Sequence, residues 1–298
     1  RRKRTMLEMK AVYKTFGVHK ALDGLTLKVP RGAVYGLVGP NGAGKTTAIR
    51  HLTGVYRADS GTVTLEGQPI DENLLAKEKI CCVADEPFYF PGASLLDMKS
   101  YYSGIYPHFD EKRFGELQDV FGLPRKSPIR RFSKGMQKQA AFHLALSTRA
   151  QVLILDEPVD GLDPVMRRQV WSLILDDVAR RETTVLVSSH NLRELEDICD
   201  HVGIMKAGKM LAERSLSDMQ GSTVKLQMVG EAPEGLEILH KASSGRLNTY
   251  IVRGSIPQVQ AAVERVNPAY FDILPLSLEE IFIYEVGGRS HETESILL

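Results

Sequence analysis

The chain has 298 residues, 43% of them hydrophobic and 25% charged, the composition of a folded globular protein. Thirty-eight Lys and Arg against 37 Asp and Glu leave a net charge of +1, which gives no bulk electrostatic case for nucleic acid as a partner. No apolar run approaches the ~20 residues that span a bilayer, and no signal peptide is visible. Cys81, Cys82 and Cys199 have no metal-ligand spacing and read as small buried hydrophobes of a reducing compartment.

Residues 1–6, which open Arg1-Arg2-Lys3-Arg4, read as a disordered or vector-derived terminus. Leu7–Tyr13 and Leu25–Val29 alternate or cluster apolar residues as edge strands do. Ala33–Val38 is an apolar, β-branched run that stops at glycines, as a buried strand would, and a helix is expected from Lys45 to about Thr53. Thr62–Leu65 reads as a further strand, closed by Glu66-Gly67-Gln68-Pro69. From about 88 to 148 the chain shows helical periodicity, aromatic pairs and the breakers Pro107, Pro124 and Pro128, which predicts an inserted helical subdomain. Strand character returns at Val152–Leu155, yields to a helix from Pro164 and returns at Thr183–Val187. This alternation predicts an α/β fold with a helix-covered parallel sheet. Beyond Arg214 the pattern changes again. Val224–Met228, Leu236–His240, Thr249–Val252 and Phe271–Leu274 read as strands and Ile256–Val266 as an amphipathic helix, a small α+β domain over 222–287 followed by a flexible tail, 288–298.

Between the predicted strand Ala33–Val38 and the helix that follows, Gly39-Pro40-Asn41-Gly42-Ala43-Gly44-Lys45-Thr46-Thr47 fits the phosphate-loop pattern G-x-x-x-x-G-K-[ST]. Glycines let backbone N–H groups curl around phosphate oxygens, and the helix N-terminus adds its positive dipole end. Lys45 supplies a compact charge for the β- and γ-phosphates, and the Thr46 hydroxyl is a ligand for Mg²⁺. Val152-Leu153-Ile154-Leu155-Asp156-Glu157-Pro158 delivers two acids at the C-terminal end of an apolar strand, where open α/β sheets bind their ligands. Asp156 is expected to hold Mg²⁺ and Glu157 to accept a proton from the attacking water.

Three further motifs follow in order. Phe132-Ser133-Lys134-Gly135-Met136 occupies the place of an LSGGQ signature, Asp160-Gly161-Leu162-Asp163 that of a D-loop, and His190 follows a predicted strand. With these the chain resembles the ATP-binding subunits of ABC transporters over residues 7–214, and in particular those of bacterial drug, lantibiotic and peptide exporters, whose chains often finish like Ser277-Leu278-Glu279-Glu280-Ile281-Phe282. The resemblance implies a RecA-like P-loop NTPase core with a β-subdomain and the inserted helical subdomain. It implies ATP and Mg²⁺ as ligands and transport-coupled ATP hydrolysis powering export. Its partners would be integral membrane permease subunits and a second ATPase subunit, identical or not, arranged head-to-tail on the cytoplasmic membrane face. Each ATP would lie between one phosphate loop and the other subunit's Ser133, Gly135 and Asp163. His190 would bond the γ-phosphate and hold Glu157 in position, and Phe16 aligns with the aromatic that stacks on adenine.

The sequence departs from this family at three places. Asp85 stands where a metal-contacting glutamine is usual; an acid still coordinates Mg²⁺. Lys134 and Met136 replace a glycine and a glutamine of the signature, and Met136 removes the reciprocal half of a capping box whose main half Ser133 keeps. Phe88-Tyr89-Phe90 reads either as the lining of a groove for a membrane subunit or as subdomain core. The remaining functional alternatives are a non-transport ABC ATPase of the translation or DNA-repair type and a regulatory module that binds ATP without hydrolysing it.

Overall fold

In the computed structural model, which describes residues 4–216, 223–277 and 280, the chain folds as two compact units. The first is Arg1–His190 with Gly203–Met210, and the second Asn191–Val202 with Leu211–Leu298. In chain order the elements are β1 (Thr5–Phe16), β2 (His19–Pro30), β3 (Val34–Val38), α1 (Lys45–Leu52), β4 (Ser60–Leu65), β5 (Gln68–Pro69), α2 (Leu74–Lys77) and β6 (Ile80–Val83). Then follow α3 (Leu95–Ile105), α4 (Glu111–Phe121), a 3₁₀ turn (Ile129–Arg131), α5 (Lys134–Ser147), β7 (Val152–Asp156), α6 (Pro164–Arg181), β8 (Thr184–Ser189) and α7 (Arg193–Glu196). The chain continues through β9 (His201–Lys206), β10 (Lys209–Ser215), β11 (Thr223–Val229), β12 (Glu237–Ser244), β13 (Leu247–Arg253), α8 (Ile256–Val266) and β14 (Phe271–Pro275).

One antiparallel sheet has the order β2-β1-β4-β5. β1 is therefore interior and not the edge strand its alternation suggested: Leu7 pairs with Val29 on one side and with Leu65 on the other. Period-two alternation reports burial of one face of a strand, here Leu7 and Met9, and says nothing about position in the sheet. β1 also begins earlier than expected. Met6 is only 2% exposed within the core, so the terminus expected to be irregular through residue 6 gives way to strand at Thr5. Residues 1–3, the tail 288–298 and most of the Ser277–Phe282 segment lie outside the described residues.

A six-stranded sheet has the order β10-β9-β3-β8-β7-β6, in which β3, β8, β7 and β6 run parallel. Every residue of β3, β7 and β8 is buried, the signature of strands covered on both faces. Leu37 and Ile154 of these strands share a core with Ile49 and Leu52 of α1 and with Leu7 and Leu27 of the first sheet. Burying each such aliphatic side chain is worth about 1.5–3 kcal/mol. The helical insertion runs from α3 to α5, between the adjacent strands β6 and β7. Ser94 and Asp97 close a capping box on α3, Asp110 caps α4 and Ser133 caps α5. The breakers Pro107, Pro124 and Pro128 all fall between helices.

In the second unit β12, β13, β11 and β14 form an antiparallel sheet in that order. Alternate residues of β11, Val224, Leu226 and Met228, pack with Val259 and Val263 of α8, one helical turn apart. Leu216 N donates to Asp200 O at 2.9 Å, a tie within this unit that joins segments on either side of β9 and β10.

Candidate functional site

Three loops leave the C-terminal ends of the adjacent parallel strands β3, β8 and β7, and they carry the phosphate-loop, His190 and Asp156–Glu157 motifs. Parallel pairing aligns those ends, so motifs more than a hundred residues apart reach one edge of the sheet.

Gly44, immediately before α1, has φ 103°, and a Cβ there would stand 2.7 Å from the Ala21 carbonyl oxygen. Conformation and space both demand glycine. Gly42, with φ 80°, has nothing within 4 Å of where a Cβ would be, so the loop is open on that side. Lys45 opens α1 and is 6% exposed; its ammonium donates to Gly39 O at 2.7 Å and stands 3.4 Å from Glu157 Oε1. Thr46 is exposed beside it. The loop borders a cavity of about 330 Å³ that is also lined by Phe16, Asp85 and Glu157. Phe16 is 42% exposed, so it is not the core residue that a phenylalanine in a strand usually is. Its ring centre lies 5.3 Å from that of Tyr56.

Asp156 ends β7, and its Oδ1 accepts a bond of 2.5 Å from the hydroxyl of Ser188 on β8. The same Ser188 oxygen accepts from Glu157 N at 3.1 Å, so one buried hydroxyl ties the Asp156 carboxylate to the Glu157 backbone. Sequence reading missed Ser188; the available signal was a polar pair, Ser188-Ser189, ending an otherwise apolar strand. Glu157 has φ 44°, a left-handed conformation uncommon outside glycine and costly enough that its surroundings must hold it. Glu157 Oε2 lies 2.9 Å from His190 Nδ1. An ionised carboxylate only accepts, so this nitrogen carries the proton and Nε2 is left for another partner. Asp160 comes close as well: its carboxylate, that of Glu157 and the His190 ring all lie within 4.8 Å of one another.

The structure gives Asp85, expected on the metal, a partner of a different kind. Its Oδ1 accepts from Lys138 Nζ at 3.2 Å, a contact with no counterpart in the sequence reading. The remaining expected residues do not line the phosphate-loop cavity. Ser133 is an exposed helix cap whose hydroxyl accepts from Met136 N at 3.2 Å. Asp163 caps α6 through Val165 N and Met166 N, both at 3.0 Å. A Cβ on Gly135 would stand 2.9 Å from Gly161 O, so glycine is needed there for space. Of the aromatic triplet, Tyr89 is buried and donates to Gln137 O, while Phe88 and Phe90 are exposed. Tyr89 thus belongs to the subdomain core, and Phe88 and Phe90 do not.

The site thus sets a lysine, a carboxylate and an imidazole against a glycine loop open to a polyphosphate-sized cavity. The carboxylate donors and the Thr46 hydroxyl are hard oxygen ligands of the kind Mg²⁺ takes. Among the described residues no helix is long and apolar enough to cross a membrane.

Comparison with known proteins gives a consistent result. A family model described as ABC transporter matches residues 22–160. The ABC transporter ATP-binding protein YtrB of Bacillus subtilis is 30% identical over 292 residues, 95% of this chain and 99% of that one. The bacitracin transport ATP-binding protein BcrA of Bacillus licheniformis is 33% identical over 70% of this chain and 69% of that one. Among solved structures, an ATP binding subunit of an ABC transporter superimposes with a TM-score of 0.67 at 26% identity, covering 72% of this chain and 92% of that one.

Proposed function

The chain belongs to the ATP-binding subunits of ABC transporters, and from that premise we propose that it hydrolyses ATP to drive export through separate membrane-spanning subunits. The observation that carries the hydrolytic part is the Glu157 carboxylate. It stands 3.4 Å from the Lys45 ammonium and 2.9 Å from the His190 ring, beside the phosphate-loop cavity.

In this reading the backbone N–H groups from Asn41 to Thr47 and the Lys45 ammonium bind the β- and γ-phosphates, and the Phe16 ring stacks on adenine. Thr46 and Asp156, the latter fixed by Ser188, would hold Mg²⁺, which supplies charge stabilisation at the phosphoryl oxygens when bound. Glu157 orients the attacking water and takes its proton, a role worth about 10²–10⁴-fold in rate. His190 holds that carboxylate through Nδ1–H and would donate Nε2–H to the γ-phosphate, which requires the ring to act there as an imidazolium with both nitrogens protonated. Ser133, Gly135 and Asp163 lie away from the cavity and would meet the nucleotide of a second ATPase subunit. Exposed Phe88 and Phe90, edge-to-face at 5.5 Å, would contact a permease subunit on the cytoplasmic face of the membrane. Export follows the relatives whose names record bacitracin transport and linearmycin resistance.

The test is phosphate release by the full chain with Mg²⁺ and ATP, together with its co-purification from membranes. Turnover together with recovery of an integral membrane partner is expected. Tight ATP binding without phosphate release would overturn the hydrolytic reading, and recovery with ribosomes or DNA in place of a membrane protein would overturn the transport reading.

A further inference from the structure

Lys138 lies on α5, just over one turn past Ser133, and no step of the proposed reaction uses it. The residue is 4% exposed. Lysine is almost never buried so deeply unless paired, because an unpartnered ammonium away from water is very costly. Here Nζ donates to the main-chain oxygen of Glu157 at 2.7 Å and to Asp85 Oδ1 at 3.2 Å.

The first acceptor matters because of where it sits. Glu157 is the residue with φ 44° at the exit of β7; Ser188 holds its N–H and Lys138 its carbonyl, so the two peptides that together set the direction of its Cα–Cβ bond are both anchored. That bond aims the carboxylate at Lys45 and His190. A charge-assisted hydrogen bond to the Glu157 carbonyl is short, strong and directional, and it fixes the plane of that peptide. The second acceptor belongs to the segment after β6. Asp85 borders the phosphate-loop cavity, and its half-exposed carboxylate offsets the lysine charge. One buried cation thus joins three segments: the exit of β7, the signature helix and the turn after β6.

We propose that Lys138 is a positioning residue that fixes the backbone of Glu157, and that Asp85 acts through Lys138, tying the segment after β6 to the aim of the Glu157 carboxylate. This rests on the hydrolytic reading given above. Position 85 then communicates with the chemistry by holding a cation in place, and a substitution there registers in turnover and not in nucleotide affinity.

The experiment measures kcat, KM for ATP and the equilibrium affinity for ATP on the full chain, for the wild type, Lys138→Met, Asp85→Asn and the double variant. Lys138→Met keeps the length of the side chain without its charge. It should lower kcat about 10–100-fold while KM and affinity stay within about threefold. Asp85→Asn alone should lower kcat about 3–10-fold, and in the Lys138→Met background its further effect should fall below about twofold. Equal losses in both backgrounds would mean that Asp85 acts independently, for instance on the metal, and would overturn the proposal. So would a folded Lys138→Met protein with kcat within threefold of wild type. Should Lys138→Met fail to fold by circular dichroism, Lys138→Gln, which also lacks the charge, takes its place in the same cycle: a smaller loss from Asp85→Asn in that background than in the wild type supports the coupling, and equal losses overturn it. A wild-type chain that binds ATP but releases no phosphate removes the hydrolytic reading and this inference with it. A wild type that turns over while the variants do not differ from it removes the inference alone.

Discussion

The phosphate loop and the start of α5 are both turns that lead into helices, yet the sequence keeps every position of the loop's pattern and only part of the signature's. The loop works with its backbone, and its glycines are locked. Gly44 combines φ 103° with a neighbouring carbonyl 2.7 Å from any Cβ, and Lys45 is buried among fixed acceptors. At the start of α5 the fixed points are two. Ser133 caps the helix with its hydroxyl, and Gly135 leaves room for the Gly161 carbonyl. Lys134 between them is exposed and Met136 half-buried, so glycine and glutamine can be replaced without disturbing either fixed point. Here each motif keeps its pattern where its backbone is hemmed in, and departs from it at the exposed Lys134 and half-buried Met136.

Four substitutions grade that contrast. Gly44→Ala should do the most damage, with ATP affinity lowered more than about 100-fold, because the new methyl group meets both a strained φ and the Ala21 carbonyl. Titration of a fluorescent ATP analogue checks this, with circular dichroism to confirm the fold. Gly135→Asp should abolish turnover, since its side chain meets Gly161 O and places a carboxylate where a phosphate approaches, yet the variant should still bind ATP. Ser133→Ala loses the cap, worth about 0.5–2 kcal/mol, and turnover should fall roughly tenfold with binding retained. Met136→Ala should change turnover by less than about tenfold, below ~1.4 kcal/mol of barrier. A Met136→Ala variant as inactive as Gly135→Asp while folded would erase the distinction between the two regions.

What was legible in the sequence follows the same division. β3 and β7 were readable because continuous burial on both faces writes an unbroken apolar run, and their motifs follow at once. β6, Ile80-Cys81-Cys82-Val83, is too short to stand out, and β9 is interrupted by Gly203, which makes room for the Tyr35 hydroxyl. β10 carries Lys209, Glu213 and Arg214, which mask its strand character. Glu157 and His190 were singled out by pattern. Ser188 and Lys138 were not, because their part depends on partners distant in sequence: Ser188 reaches Asp156 across a strand pair, and Lys138 reaches from α5 to both Asp85 after β6 and Glu157 after β7. A lysine in a polar stretch of helix reads as solvent-facing until packing encloses it.

The central claim is that the Glu157 carboxylate, aimed from a strained backbone toward Lys45 and His190, is the proton acceptor for hydrolysis. Glu157→Gln keeps the side chain's shape and an acceptor oxygen for His190, and removes its basicity together with the charge that faces Lys45. Single-turnover phosphate release and ATP affinity, measured side by side on the full chain, test this directly. The account predicts that release slows roughly 10²–10⁴-fold while affinity stays within about threefold and an ATP-bound dimer accumulates. Release within threefold of the parent would contradict it.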